Sequence, residues 1–335
     1  VQPTPAGDSG MLYMPGKYIA AILLLLLTAC STRPVSEAPA VINAQAHSGG
    51  SVVVFSPSGE LLASGGWEGT VRLWRIPDGA PVRAWQAHAD TVNGMVLTDA
   101  GQRLVTAGFD GRIARWSIDA QLLGQVKSPA PITHMTALEP ADRLLTGHAD
   151  GSVRQWRLSD LSLLHTRTPH RGSVKAVAIA PGGVRYASSG SDGAVFTWSE
   201  GMPVRRLEDP PTDAWTLAFS PDGQWLIGGG WFRLYRWQLA DASLQTLPTR
   251  HRGIIRSIKF LPDGATLASI SRQTDSAVYF LDPVTGATLR RFQRHELCGA
   301  DISVSPDGRY LATTSDDASV RIWDLDAGRP VEGNH

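Results

Sequence analysis

The chain is poor in cysteine, has no surplus of either charge, and carries only 7% aromatic residues. Lys plus Arg and Asp plus Glu each number 31, so the 335 residues are formally neutral. That balance argues against nucleic acid as a partner, since a polyanion rewards a basic surface. The two cysteines are Cys30 and Cys298. With Cys30 committed elsewhere, as argued below, Cys298 has no partner, no internal disulfide is expected, and the fold must stand on packing. The apolar run Ile19 to Leu27 is too short to span a bilayer, which takes about 20 residues. Paired-cysteine metal motifs, HExxH, G-x-S-x-G and phosphate-cradling glycine loops are all missing. No cofactor, no metal site and no catalytic residue is expected, and His134 and His148 are expected to be solvated surface histidines.

What is abundant is glycine (34), proline (22) and tryptophan (11). Most of the tryptophans close a repeated pattern: an apolar strand, a Pro/Gly turn, a small-residue strand, an Asp-Gly-like turn, and a third strand. The closing positions are Trp74, Trp116, Trp156, Trp198, Trp237, Leu281 and Trp323, at spacings of 42, 40, 42, 39, 44 and 42. The first turn reads Pro57-Ser58-Gly59, Pro181-Gly182-Gly183, Pro221-Asp222-Gly223, Pro262-Asp263-Gly264 and Pro306-Asp307-Gly308. Proline presets φ there and glycine supplies positive φ. A fourth, outer strand such as Pro81 to Trp85 leads to the next repeat. Seven such units predict an all-β, seven-bladed propeller of four-stranded blades over residues 40–331. Residues 39–45 resemble an outer strand with no earlier blade to join, so they should close the ring on the last blade and remove its open edge.

The N-terminal part reads differently. Lys17, the apolar run and Thr28-Ala29-Cys30 read as a secretory leader. Leu27-Thr28-Ala29-Cys30 resembles the lipobox of bacterial lipoproteins. That resemblance implies cleavage before Cys30, acylation of Cys30, and a leader over 11–29. Several acyl chains anchor stably where one does not. Ser31 is not the Asp that holds enteric members at the inner membrane, which favours the outer membrane, facing the periplasm. Residues 1–10 carry no leader feature and read as upstream read-through, with the start at Met11 or Met14. Residues 30–39 read as a lipidated, extended tether.

The repeats themselves resemble the WD-repeat family, with Trp323-Asp324 and Leu281-Asp282 the two copies nearest its namesake dipeptide. The resemblance implies a buried hydrogen-bonded tetrad in several blades: His88, Thr106, Asp110 and Trp116; His170, Ser188, Asp192 and Trp198; His295, Thr313, Asp317 and Trp323. These look like Ser-His-Asp triads. Three copies at one spacing read as framework, because an active site is normally singular. Elsewhere the pattern departs. Blade 1 has Glu68 for Asp, and its His47 is one place out of register. Blade 3 has Ser128 for His but keeps Thr146, Asp150 and Trp156. Blade 6 keeps His251, Ser269 and Asp275, with two extra residues in its turn. Blade 5 has Pro210, Ile227 and Trp231 at the His, Ser/Thr and Asp positions, and is expected to be the weakest or most specialised.

The family's members commonly bind proteins on the face formed by the turns before the Asp and by the inner-strand starts. Carried over, that face points to Trp67, Phe109, Trp215, Lys175 and Arg256, aromatics with a basic residue being what interface hot spots are made of. The expected function is a non-catalytic, lipid-anchored scaffold for protein partners of the bacterial envelope, as a monomeric ring. The alternative is a propeller that binds a small ligand, a metal or an envelope glycan, or acts on it as an enzyme.

Overall fold

The computed structural model describes residues 37–273 and 275–327. The leader, Cys30 and Thr274 lie outside the described residues. Seven antiparallel four-stranded sheets follow one another along the chain. They are blade 1 (residues 50–86), blade 2 (92–127), blade 3 (132–167), blade 4 (174–206), blade 5 (216–248), blade 6 (255–291) and blade 7 (299–324). Blade 7 supplies only three of its own strands; the fourth is Val41–Asn43, antiparallel to Val320–Asp324 with Val41 opposite Ile322. This closure ties the start of the ring to its end. The segment before it is also held, by Glu37 on Arg290 at 2.6 Å and by Gln293 N–H donating to the Glu37 carbonyl.

The turns that the Pro/Gly pattern marks are where the glycines need positive φ: Gly59, Gly183, Gly223, Gly264 and Gly308 lie between +66° and +76°. The core is not one mass. It is a series of seven layers, each squeezed between adjacent blades. Between blades 1 and 2, for example, Ala63, Val71 and Leu73 meet Val92, Met95, Leu97, Leu104 and Trp116. Each closing tryptophan fills such a layer; Trp237 and Trp323 are among the largest fully buried side chains. The seven layers enclose an axial channel, lined by the innermost strand of every blade. No described helix is long and apolar enough to cross a membrane.

Candidate functional site

Blade 2 shows the relay in full. Thr106 Oγ1 lies 2.8 Å from His88 Nε2 and accepts Trp116 Nε1–H at 3.0 Å, while His88 Nδ1 lies 3.0 Å from Asp110. Burial keeps the imidazole pKa below its ordinary value despite the carboxylate. The neutral ring donates from Nδ1 to Asp110 and accepts at Nε2 from the Thr106 hydroxyl. That oxygen is wholly buried and already receives an indole N–H. It cannot meet a substrate, and the arrangement is framework.

The other blades vary this theme by reach. In blade 1 the ring of His47 stands one residue nearer its acid, and the extra methylene of Glu68 absorbs the shift. His47 Nδ1–Glu68 is 2.9 Å, His47 Nε2–Ser64 is 2.8 Å, and Trp74 Nε1–H donates to Ser64 at 2.8 Å. The relay expected to be out of register is therefore complete. In blade 3 the correction is larger. His148, expected at the surface, is wholly buried and occupies the missing ring's place. Its Nε2 lies 2.7 Å from Thr146 Oγ1, which accepts Trp156 Nε1–H at 2.9 Å. The corresponding residue is Gly108 in blade 2 and Gly190 in blade 4, where a Cβ would stand 2.5 and 2.4 Å from the histidine Nδ1. Histidine and glycine have in effect exchanged strands: His88/Gly108 becomes Ser128/His148. Asp150 is released to hold the Ser152 N–H and Arg154, both at 3.0 Å.

Blades 4 and 7 keep the His–hydroxyl and His–Asp links: His170 with Ser188 at 2.8 Å and Asp192 at 3.0 Å, His295 with Thr313 at 2.6 Å and Asp317 at 3.0 Å. The fourth member differs from expectation in blade 7: the buried Trp323 indole N–H makes no hydrogen bond among the described residues, and its ring stacks on Phe292. Trp198 stacks on Tyr186. In blade 6 the longer turn draws Asp275 away to Tyr279, whose hydroxyl donates to it at 2.9 Å. His251 retains Ser269 at 2.8 Å, and its Nδ1 faces no partner. Blade 5 has no relay. Ile227 fills the hydroxyl position, Tyr235 and Trp237 are wholly buried, and Trp237 Nε1–H donates to the Glu208 carbonyl. Trp231 is half-buried against Phe232.

The inner-strand starts have a role that their sequence does not show. In six blades the pairing of the first two strands slips by one residue, at Ser51, Asn93, Thr133, Lys175, Arg256 and Ala300. Each is a β-bulge, which re-aims a side chain. Four of them aim it at the next blade. Ser51 donates to the Val92 carbonyl at 2.6 Å, Asn93 to Ile132 at 2.9 Å, and Thr133 to Val174 at 2.7 Å. Lys175 grips Asp213 at 2.5 Å and lies 3.4 Å above the Trp215 ring. Lys175 is thus a clasp between blades 4 and 5, only 12% exposed, and not the free surface cation expected of a partner site. Trp215 is its half-buried platform. Arg256 lines the central channel.

Trp67 and Phe109 are different. They are 45% and 41% exposed, on the loops of adjacent blades. Trp67 lies flat on Gly49, where a Cβ would come within 2.6 Å of the indole, and the backbone N–H of Trp67 donates to the Gly49 carbonyl at 3.0 Å. Phe109 N–H donates to the Thr91 carbonyl at 2.8 Å, and Thr91 Oγ1–H reaches the Trp67 carbonyl at 3.4 Å. One residue therefore ties both aromatic loops. Among the described residues no three His, Cys, Asp or Glu converge as a metal ion would need.

A seven-bladed ring of repeats with buried His–hydroxyl–Trp relays defines a class of repeat propellers. The chain matches the family described as WD domain, G-beta repeat over residues 41–75, 79–117, 161–199, 201–237 and 286–324. It belongs to that family. The two long stretches between matches hold the inner strands of blades 3 and 6, whose relays are rearranged. The chain is 30% identical over 197 residues to WD repeat-containing protein SL1-17 of Schistosoma mansoni, covering 56% of this chain and 63% of that one. It is 24% identical over 273 residues to apoptotic protease-activating factor 1 of Rattus norvegicus, covering 77% and 21%. It is also 30% identical over 186 residues to WD repeat-containing protein VIP3 of Arabidopsis thaliana, covering 50% and 57%. The chain thus spans less than two thirds of each relative's length. Propellers of this family are typically protein-interaction scaffolds and generally non-catalytic.

Proposed function

We propose that the protein is a non-catalytic scaffold that receives a protein partner on the face around Trp67 and Phe109, held near a bacterial envelope membrane by lipid on Cys30. The observation that carries the reading is the pair of large aromatics, exposed yet fixed by hydrogen bonds of their loops. Rigid rings lose little conformational freedom on binding, which is what makes aromatic anchors effective. In sequence, residues 30–39 come just before Val41–Asn43, the strand that closes the ring.

Crosslinked co-purification from the native envelope tests the face. A defined partner captured by the wild type and lost in a Trp67→Ala/Phe109→Ala variant supports it; a partner retained by the variant places the interface elsewhere. Cys30→Ser tests the anchor independently: the protein should leave the membrane fraction and lose acyl label.

A further inference from the structure

We propose that the central channel is a binding site for a small oxyanion, a carboxylate or phosphate, received by Arg256, Lys259 and the Nε2–H of His134. The proposal does not rest on the partner face, which lies on the loops. Arg256 is the exception among the bulge donors. Ser51, Asn93, Thr133 and Lys175 each find an acceptor in the next blade, whereas the Arg256 guanidinium makes no hydrogen bond or close ion pair among the described residues. The carboxylates that act on it from a distance already have partners. Asp301 accepts the Val53 N–H at 3.1 Å and the Ser257 hydroxyl at 2.7 Å, and Asp316 is paired with Arg272 at 2.8 Å. A half-buried guanidinium without a partner is costly, and a planar donor fork suits a bidentate oxyanion.

Two further groups from opposite parts of the ring face the same space. Lys259 follows Arg256 on the same strand and is exposed. His134 comes from blade 3, and its tautomer is set by the backbone: Val177 N–H donates to Nδ1 at 3.3 Å, so the remaining proton sits on Nε2. That N–H has no protein acceptor among the described residues. Lys259 and Arg256 are near enough to His134 that, after burial, their positive charges are what hold its pKa down, at about 3. The ring is therefore a neutral donor at physiological pH, and the cluster is cationic through Arg256 and Lys259. The cavity they share with the inner strands measures about 360 Å³, within the range of small-ligand sites. Asp301 is the one carboxylate of the lining and is taken up by Val53 and Ser257, so against Arg256 and Lys259 the space suits an anion and not a cation.

Calorimetric titration of the full chain with inorganic phosphate and, separately, with citrate tests the site and distinguishes phosphate from carboxylate. Saturable binding of at least one probe is expected. Affinity should fall at least ~10-fold in Arg256→Gln, fall less in Lys259→Gln, and stay unchanged in the exposed control Arg171→Gln. Should Arg256→Gln fail to fold, as judged by its tryptophan near-ultraviolet circular dichroism, Lys259→Gln carries the test. No saturable binding of either probe overturns the proposal. So does full affinity in a folded Arg256→Gln, or in Lys259→Gln where Arg256→Gln does not fold.

Discussion

Blades 2 and 5 occupy equivalent places in one ring and are held by opposite chemistry. Blade 2 buries a chain of four polar groups, each satisfied by the next, from Asp110 through His88 and Thr106 to Trp116. Blade 5 removes the chain and fills its place with Ile227, Tyr235 and Trp237, all wholly buried. Its layer against blade 4 joins Leu217, Phe219, Leu226 and Leu239 to Val195 and Leu207. A buried polar network stabilises only when complete, whereas apolar packing tolerates partial change. The comparison teaches that each blade must be locked to its neighbour, and that either a satisfied relay or a dense aromatic layer does it. Blade 3 stands between them, preserving the relay by moving the imidazole to the other partner strand.

The sharpest test of the comparison is Trp237→Ala. It opens a cavity in the layer that replaces the relay and should cost about 3–5 kcal/mol in denaturant unfolding. A cost below ~1 kcal/mol would show that blade 5 is not held by packing. Next is Thr106→Val, which keeps the shape but takes the shared oxygen from Trp116 Nε1–H and His88 Nε2. Two buried groups lose their partner, and about 2–3 kcal/mol should go. The mirror change, Ile227→Thr in blade 5, buries a hydroxyl where no relay waits, and it should destabilise as well.

Blade 3 gives a double-mutant cycle. Ser128→His alone crowds the buried His148, and His148→Gly alone leaves Thr146 without an imidazole. The double variant recreates the blade 2 arrangement and should recover roughly 1–2 kcal/mol relative to the sum of the singles. Strict additivity would mean that the two positions do not exchange roles. The smallest effect concerns pH. In blade 6 burial, with no carboxylate on the ring, lowers His251 to about 3. Unfolded, it titrates near 6.5. Below pH 6.5 the unfolded chain therefore takes up a proton that the folded blade does not, and stability falls as pH falls toward 3. His251→Phe should flatten the decline between pH 6.5 and 5 by roughly 1.5 kcal/mol, read from unfolding midpoints at each pH. An unchanged slope would mean that His251 does not titrate differently in the two states.

Much of this architecture is written locally. The alternation of apolar residues, the Pro-x-Gly turns and the recurring tryptophan each act within a few residues, so seven blades and the closing strand could be read directly from the chain. Three kinds of feature could not. His148 looked like a surface residue because its partner strand, not its own neighbours, makes its environment. Glu68 and His47 looked out of register because a side chain's length is not part of a spacing. Lys175 and Arg256 looked alike as basic inner-strand starts, although Asp213 pairs directly with one and, among the described residues, carboxylates act on the other only from a distance.

By itself, then, the sequence determined the number of blades and the places where the chain turns, because these depend on backbone preference and on apolar periodicity. Tertiary structure decided which buried donor meets which acceptor. The clasps join residues about one repeat apart, such as Ser51 with Val92 and Thr133 with Val174. Their pairing depends on how the blades pack and on where each bulge aims its side chain, and neither is encoded in the local pattern of one repeat.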